Sequence, residues 1–537
     1  MIKKITIITS VLLFAIFSAQ GQNEEAQKAM NKFNTMLNII SQVYVDSVNE
    51  MDLADAAIIK MLEGLDPHSV YISAKDKKKM DEPLVGNFDG VGIQFNIMKD
   101  TILVVSPISG GPSEKLGIMA GDKIITINKD TVAGVGFTNN DVVKNLRGPK
   151  GSMVNVGIKR NGVSDILEFD IKRDKIPIYS VDEGYLIDKK TGYIRVNRFA
   201  RNTVEEFQTQ LKDLQKQGLK NLILDLRGNS GGYLGTAINL ADEFLGAKQL
   251  IVYTEGRSFP TDDTYASNRG DFESGKLVVL IDEGSASASE IVSGAIQDWD
   301  RGLIIGRRSF GKGLVQKPFP LPDGSMVRLT ISRYYTPSGR SIQRPYSNGK
   351  QDYYADLNKR FKHGELMNPD SIDLPDSLKY ETRINKRTVY GGGGVMPDIF
   401  VPLDTSERSS YYLNLLRKGI FNMYSLSYLD KERDNLLAMY PDKYAFQENY
   451  QITPERLNAF LEFGEKEKVE RVEEDLKKSE RQITNLLKAY IARGLYNSGA
   501  YVQIINKVDP TVLKAMEVIN GNTFDKLKVQ YKKKKTK

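Results

Sequence analysis

The feature that most constrains the fold is an apolar, strand-like run between two helix-like segments. "NLILDL" at 221–226 is almost continuously apolar, and "TVEEFQTQLKDLQK" before it carries apolar side chains at helical spacing. A glycine-containing loop, "RGNSGG", and a second helix-like run, "YLGTAINLADEFLG", follow. Strands that are buried on both faces and alternate with helices are typical of parallel sheets, so the pattern predicts an α/β core.

The loop string "GNSGG" also surrounds the nucleophile of trypsin-like serine proteases. Such a site needs a histidine base, which precedes the serine along the chain. Of the two histidines, His363 follows Ser230, and His68 is separated from it by a segment that reads as a module of its own. The α/β pattern also differs from the all-β barrel of those proteases. Ser230 is therefore not predicted to be the nucleophile.

The N-terminus has the layout of a secretory signal peptide. Lys3 and Lys4 precede an apolar run from Ile5 to Phe17, and small and polar residues follow, with cleavage predicted after Gly21. The apolar run is short for a membrane span, and an uncleaved anchor that keeps the protein near the membrane is the alternative. We predict export, to the periplasm. The chain contains no cysteine, so an exported form has no disulfide and no lipidated cysteine.

Charge and metal-ligand content exclude two further classes. The net charge of +7 comes partly from the terminal run "KVQYKKKKTK". Lysine runs at a terminus are usually solvated tails, so no nucleic-acid partner is predicted. Because there are no cysteines and the two histidines stand alone, no metal site is predicted either.

The texture of the sequence divides the chain into five segments. After a signal peptide at 1–21, residues 22–81 show helical periodicity and predict a small helical domain. Residues 82–174 change to short β-like runs separated by glycine, and 175–404 contain the α/β region. Residues 405–537 are helix-rich and highly charged, carry no evident chemistry, and are expected to serve packing or assembly, including homo-oligomerisation.

The segment 82–174 resembles a PDZ domain. The resemblance is carried by "DGVGIQF", by the short helix-like run in "SGGPSEKLG" and by the strand-like "AGDKIITIN", in this order. It implies that an extended peptide adds to the sheet as a strand. It also implies that the loop around Gly90, Val91, Gly92 and Ile93 holds the terminal carboxylate of that peptide with backbone amides.

Ser287 is a second candidate nucleophile. "KLVVLIDEGSASASEIVSGAIQDW" at 276–299 predicts a buried strand that ends at Ile281 and a helix that begins a few residues later. Ser287 lies at the predicted start of that helix, where free backbone N–H groups collect. Glu290, three residues on, also completes a capping box, which needs no catalysis. Spacing alone leaves both interpretations open.

Lys312 is a candidate base, because it lies between two glycines with no carboxylate in residues 303–322. A lysine accepts a proton only when it is neutral, and burial or neighbouring cations such as Arg307 and Arg308 favour the neutral form. If both arginines are exposed, burial alone has to supply the effect. Gln316, four residues on, could orient the amine without stabilising its charge.

Together these motifs resemble the C-terminal processing, or tail-specific, serine proteases. The resemblance covers residues 82–404 and is carried by "LDLRGNSGG", "GSASASEI", "GRRSFGKGLVQ", "TPSGRSIQ" and "GGGGVMPDI". It implies a PDZ domain followed by a crotonase-like α/β protease core, with helical segments at both ends. It identifies Ser287 as the nucleophile, Lys312 as the base and Gln316 as the partner of the base, in a Ser-Lys peptidase without a cofactor.

The resemblance also assigns the "LRGNSGG" loop to an oxyanion hole. The amide of Ala288, with that of Gly231 or Gly232, is expected to stabilise the oxyanion, and the choice between the glycines stays open. Arg147, in "LRGPKGS", resembles the PDZ arginine through which bacterial members couple tail binding to the active site. The implied function is an exported endopeptidase that recognises apolar C-termini of proteins.

Two other functions are compatible with parts of this pattern. A coenzyme A enzyme shares the crotonase-like core, but acyl-CoA chemistry is usually cytosolic, and a signal peptide and a PDZ domain argue against it. A catalytically inactive PDZ scaffold would be expected to lack Ser287 or Lys312, and both residues are present.

Overall fold

The computed structural model describes residues 24–531, and the chain divides into two compact units. Of the described residues, one unit contains 24–74 and Pro318–Leu329, and the other contains Lys75–Lys317 and 330–531. The first unit begins with a helix over residues 24–43 (α1). It continues with the helix α2 (Glu50–Glu63) and the short strand β1 (Val70–Ile72).

A β-rich segment follows the helix α3 (Ala74–Val85). Its elements are β2 (Asn87–Gly90), β3 (Ile93–Met98), β4 (Thr101–Pro107), α4 (Pro112–Lys115), β5 (Lys123–Ile127), β6 (Asp130–Thr131), α5 (Asn139–Leu146), β7 (Met153–Lys159), β8 (Ile166–Lys172) and β9 (Asp174–Pro177). The main antiparallel sheet has the order β3-β4-β5-β7-β8, so β3 is an edge strand. Helix α3 runs through residue 81 and β9 runs past residue 174, so both expected limits of this domain fall inside regular elements.

The next segment is the predicted α/β core. Its elements are β10 (Tyr185–Leu186), β11 (Thr191–Arg195), α6 (Thr203–Lys216), β12 (Asn221–Asp225), α7 (Leu234–Asp242), β13 (Leu250–Glu255), β14 (Asp262–Tyr265), β15 (Leu277–Ile281), α8 (Ala288–Asp298), β16 (Leu303–Gly306), β17 (Leu314–Pro320), β18 (Met326–Tyr335), α9 (Lys350–Lys362), β19 (Lys379–Glu381), β20 (Thr388–Tyr390) and β21 (Ile399–Phe400). The central sheet has the order β10-β11-β12-β15-β16-β21. All of its strands except β10 run parallel, which confirms the α/β prediction.

Strand β18 takes part in pairings outside the central sheet. Within the first unit, its opening residues pair antiparallel with β1, Arg328 opposite Val70. Near its other end, Tyr335 lies opposite Tyr253 of β13, which also pairs with β14. The last residues of this strand, which include Tyr334, therefore lie beside the core.

The C-terminal segment is helical, as expected. Its helices are α10 (Ser410–Arg417), α11 (Ile420–Met439), α12 (Lys443–Asn449), α13 (Pro454–Lys466), α14 (Glu473–Leu495), α15 (Ser498–Asn506), α16 (Pro510–Asn520) and α17 (Thr523–Lys526). Helices α10 to α15 share an apolar core of their own, built from side chains such as Phe421, Phe460 and Ile483.

The two faces of the central sheet are covered by different parts of the chain. Leu222 and Leu224 of β12 face α6, α7 and α8, with which they share the largest apolar core. Ile223, between them, faces the opposite way and packs in a cluster with Val512 and Ile519 of α16. Helix α16 thus covers one face of the core sheet, and the other C-terminal helices form the helical segment that the sequence predicts.

Candidate active site

Ser287 occupies the turn between β15 and α8, at the carboxyl end of the parallel sheet. Its backbone has φ 55° and ψ −110°, a conformation that non-glycine residues rarely adopt. The residue is partly exposed, whereas Ala286 and Ala288 on either side are buried. A strained backbone at a partly exposed serine, at the carboxyl end of a parallel sheet, is typical of functional positions, because the surrounding structure has to hold it there.

The carboxylate of Glu290 connects the Ser287 turn to the Lys312 loop. One of its oxygens accepts hydrogen bonds from the N–H groups of Ser287 at 2.7 Å and Lys312 at 2.9 Å. The other accepts from the Ser309 hydroxyl at 2.5 Å and the Gly311 N–H at 2.7 Å. Burial raises the pKa of Glu290, while these four donors act in the opposite direction. The sequence indicated this residue only as half of a capping box.

Tyr334 makes a second connection between the same two residues. Its hydroxyl lies 3.0 Å from the carbonyl oxygen of Ser287 and 2.5 Å from that of Lys312. The side chain is 1% exposed, and burial raises its pKa well above the usual value, so it stays a neutral phenol. No sequence signal pointed to Tyr334, because a tyrosine in a strand normally indicates packing.

The glycines beside Lys312 are required by close backbone approaches. Gly311 has φ +88°, and a Cβ on it would lie 3.0 Å from the carbonyl carbon of Gly393. A Cβ on Gly313 would lie 2.9 Å from the backbone nitrogen of Gln343. Lys312 itself is partly buried. The loop is therefore held against two other segments of the chain.

The arginines near Lys312 differ from expectation. Arg307 donates to Glu283 at 2.7 Å, and Arg308 donates to Glu365, also at 2.7 Å. The charge of Arg307 is paired with Glu283, whereas Arg308 shares Glu365 with a second arginine, Arg360. The local stretch without acidic residues was misleading here, since the carboxylates come from distant parts of the chain.

Gln316 lies on β17, where its side-chain amide donates to the hydroxyl of Thr330 at 3.3 Å. The side chain is partly exposed. This placement leaves Gln316 on the strand that leads away from Lys312.

Two backbone amides near Ser287 donate to no acceptor in the described part of the chain. These are the N–H groups of Ala288, the first residue of α8, and of Gly232. The N–H of Gly231, in contrast, donates to the side chain of Asn229 at 2.9 Å. Gly231 is nevertheless close to the serine, since a Cβ on it would lie 2.9 Å from Ser287 Cβ and 3.1 Å from Ala288 N.

The rejected candidates lie elsewhere. Ser230 is exposed in the loop after β12. His363 is an exposed residue at the end of α9. His68 belongs to the first unit, where its backbone N–H donates to Asp66 at 2.8 Å.

The predicted carboxylate loop lies between β2 and β3. Gly90 ends β2, Ile93 begins β3, and the N–H groups of Val91 and Gly92 between them have no acceptor among residues 24–531. The Val91 carbonyl is fixed by the hydroxyl of Ser113 at 2.7 Å. Since β3 is an edge strand, the loop opens onto a sheet edge with unpaired backbone groups.

Arg147 follows α5 and lies beside this loop. Its guanidinium forms an ion pair with Glu82 of α3 and stacks on the ring of Phe88, 4.2 Å from the ring centroid. A Cβ on Gly90 would lie 3.6 Å from the Arg147 side chain.

Comparisons with known proteins agree with this architecture. Residues 190–349 match peptidase family S41, and residues 90–172 match a PDZ domain. Residues 14–76 match the N-terminal domain of the activating protease CtpB, and residues 411–497 match a family of unknown function, DUF8443.

Two relatives decide the family. A carboxy-terminal-processing protease of Bartonella bacilliformis is 39% identical over 339 residues, which are 62% of this chain and 77% of the relative. The chain belongs to peptidase family S41. Carboxy-terminal processing protease CtpB of Bacillus subtilis is 35% identical over 333 residues, 62% of this chain and 69% of the relative. The solved photosystem II D1 C-terminal processing protease is 27% identical and covers 69% of this chain and 92% of its own, with a TM-score of 0.35.

The S41 assignment confirms the predicted resemblance, the combination of a PDZ domain with an α/β protease core, and the class of serine peptidase. The predicted signal peptide, residues 1–21, lies outside the described residues. Within residues 24–531, no helix is long and apolar enough to cross a membrane. The same residues contain no cluster of three His, Asp or Glu side chains suited to a metal ion.

Proposed function

We propose that this protein is an exported endopeptidase that binds apolar C-terminal tails of proteins with its PDZ domain and cleaves them with a Ser287–Lys312 dyad. The observation that carries the proposal is the double connection between the two residues. Glu290 holds both of their N–H groups and Tyr334 contacts both of their carbonyls. Ser287 and Lys312 are far apart along the chain, yet shared hydrogen-bond partners fix their backbones relative to each other. Catalysis by a serine and a base requires such a fixed arrangement.

In the proposed mechanism, neutral Lys312 takes the proton of the Ser287 hydroxyl. The Ser287 oxygen attacks the peptide carbonyl, and protonated Lys312 donates its proton to the leaving amine as the tetrahedral intermediate collapses to the acyl-enzyme. Lys312, neutral again, then takes a proton from the water that attacks the acyl group and returns it to the Ser287 oxygen as the new carboxyl terminus leaves. Gln316 is proposed to orient the amine of Lys312.

The oxyanion hole is proposed to consist of the Ala288 and Gly232 amides. An oxyanion needs donors that are not already engaged, and the Gly231 N–H is engaged by Asn229. Gly231 instead supplies space, because its missing side chain leaves room beside Ser287. Of the two glycines that the sequence left open, we therefore propose Gly232.

Tail recognition is proposed to use the edge of β3. The unpaired amides of Val91 and Gly92 suit a terminal carboxylate, and Gly90 and Ile93 bound the loop. The apolar side chains that pack on the domain core from β3, Ile93 and Phe95 among them, are only partly buried and offer contact to an apolar tail.

Export and assembly are proposed on separate grounds. Export rests on the signal-like residues 1–21, which would place the N-terminus near a membrane if they were retained. Homo-oligomerisation rests on α1, which exposes an apolar series at helical spacing: Met30, Phe33, Met36 and Val43.

The test of the function uses one folded test protein with two different tails. Purified enzyme should cleave the protein with an apolar C-terminal tail and spare the same protein with a charged tail. Binding of the apolar tail without any cleavage would favour the inactive scaffold instead.

Glu290→Gln should lower kcat by about 10- to 100-fold with little change in KM. An amide would place an N–H2 donor where one carboxylate oxygen now accepts two donors, leaving buried N–H groups unsatisfied next to Ser287 or Lys312. Steady-state kinetics on a tailed substrate measure the effect.

Glu283→Gln is the matched control for this variant. Glu283 lies in the same turn but pairs with Arg307 and touches neither the Ser287 nor the Lys312 backbone. An equal loss of kcat in both variants would contradict the positioning role of Glu290.

Arg147 is proposed to couple tail binding to the dyad by exchanging partners. In this structure it is paired with Glu82 and stacked on Phe88, next to the carboxylate loop. A tail in that loop would compete for this space, and release from Glu82 would allow the guanidinium to support Gln316 and Lys312. Coupling between two sites is typically about 5- to 150-fold.

Arg147→Ala should therefore lower turnover of tailed substrates by about 5- to 150-fold while tail affinity changes little. Glu82→Gln, which weakens the ion pair but keeps the arginine, should raise turnover of an untailed substrate. Fluorescence anisotropy for tail affinity and cleavage rates on the same variants separate the two effects. Full activity in Arg147→Ala would exclude this residue from the coupling.

A further inference from the structure

A cavity of about 450 Å³ lies at the carboxyl end of the central sheet, between the protease core and the C-terminal helices. Arg195 at the end of β11, Arg227 and Gly228 after β12, and Arg307 after β16 line its sheet side. Helices α14, α15 and the start of α16 line the other side. The carboxyl ends of parallel strands are where α/β proteins commonly bind ligands. The proposed active site uses Ser287 at this same end of the sheet and does not involve Arg195.

Arg195 is the unusual group in this cavity. Its Nε is buried and donates to no acceptor in the part of the chain that the structure describes. Asp182 and Asp225 lie close enough to feel its charge, but in the described part of the chain they accept side-chain hydrogen bonds from Asn197 and Arg227 and none from Arg195. Arg195 as a whole is partly exposed to the cavity, and no carboxylate among residues 24–531 forms an ion pair with it, so its guanidinium can receive an anion there.

The acidic residues of the cavity wall already have partners. Asp509 accepts from Arg227 at 2.9 Å and caps α16. Glu407 pairs with Arg481 at 2.6 Å, and Asp282 accepts from the N–H of Gly228 at 2.8 Å. Asp404, the remaining acidic residue of the lining, accepts from Ser406, so none of these carboxylates pairs with Arg195 in the described part of the chain.

The helical side of the cavity has a different character. Leu486, Val502 and Ile505 give it an apolar surface, and the side-chain amides of Gln482 and Asn485 lie beside them. A ligand that satisfies both sides carries an oxyanion at one end and an apolar body at the other. The volume suits a ligand of a few residues in length.

We propose that this cavity binds the free carboxyl terminus of a short apolar peptide, with the carboxylate on Arg195 and the side chains against α14 and α15. The choice of a peptide rests on the proposed function, because every cleavage by a tail-specific protease releases a fragment with a free carboxylate. The anion site itself rests on Arg195 alone.

The test uses the full chain carrying Ser287→Ala, which prevents turnover, and three probes: N-acetyl-Ala-Leu-Ala, its C-terminal amide, and inorganic phosphate. Hydrogen–deuterium exchange localises binding, because the cavity is bordered by α14 and α16, whereas the PDZ groove is bordered by β3. We expect the free acid to protect α14 and the start of α16, and the amide to do so at least tenfold more weakly.

Arg195→Gln should raise the midpoint of that protection by about 10- to 150-fold, the worth of one hydrogen bond between charged groups. Protection of β3 should be unchanged, and Arg269→Gln, an exposed arginine outside the cavity, should bind as the parent does. Equal protection by acid and amide, or an unchanged midpoint in Arg195→Gln, would overturn the proposal. Protection by phosphate but not by the peptide would also overturn it, in favour of an inorganic anion site. Failure of the wild-type protein to cleave tailed substrates would contradict the proposed function and leave these binding results standing.

Discussion

Ser287→Ala should abolish proteolysis, with a loss of at least about 10⁴-fold, while the protein stays folded. The nucleophile is removed entirely, and residual turnover can come only from binding and the oxyanion amides. The structural cost is small, at most a helix cap of about 1 kcal/mol, because the Glu290 contact to the Ser287 N–H involves only the backbone. Cleavage of a tailed substrate and the urea midpoint of the variant measure the two quantities.

Ser230→Ala is the matched control, because Ser230 is the other serine in a protease-like string and is exposed in its loop. It should retain most of the activity. An inactive Ser230→Ala beside an active Ser287→Ala, both folded, would reverse the assignment of the nucleophile.

Lys312→Ala should be as inactive as Ser287→Ala, and the double variant should lose nothing further, because the two residues act as a unit. Lys312→Arg should not restore activity, since a guanidinium stays protonated and cannot accept the serine proton. The backbone of Lys312 would still be held by Glu290 and Tyr334 in each variant, so the loop should keep its structure. Single-turnover cleavage assays compare the variants.

Two controls test whether the base is Lys312 and not another lysine or a histidine. Lys317→Ala, at an exposed lysine on the same strand as Gln316, should keep its activity. In the wild-type protein activity should rise towards alkaline pH as the amine loses its proton, and neither His68→Ala nor His363→Ala should change that profile. If either histidine variant lost the rise of activity with pH, the base would instead be that histidine.

The sequence was informative where the structure is local and periodic. Alternation of helix-like and strand-like runs predicted the α/β core, and "KLVVLIDEGSASASE" predicted a strand, a turn and a helix with Ser287 at the turn, which is where the residue lies. Each of these predictions depends on residues that are neighbours along the chain, and hydrophobic period and glycine content report such neighbours directly.

The sequence was misleading where the surroundings of a side chain were inferred from its neighbours along the chain. Residues 303–322 contain no carboxylate, yet the fold pairs Arg307 with Glu283 and Arg308 with Glu365. Of the two influences that could favour a neutral Lys312, burial and neighbouring cations, the second is therefore weakened by these ion pairs. The helix-rich composition of the C-terminus likewise predicted helices but not what they pack against. In the structure, α16 covers the second face of the core sheet.

The amino-acid pattern thus specified which elements form and which residue types lie in their turns, because propensity and apolar spacing act over a few residues. The fold decided which of those turns meet. Glu290 and Tyr334 connect Ser287 with Lys312, and the C-terminal helices line a cavity beside Arg195. Asn229 engages the Gly231 amide, whereas the Gly232 amide has no acceptor among residues 24–531. These relations depend on hydrogen bonds and burial between segments far apart in the chain, and such pairings exist only once the packed core has brought the segments into contact.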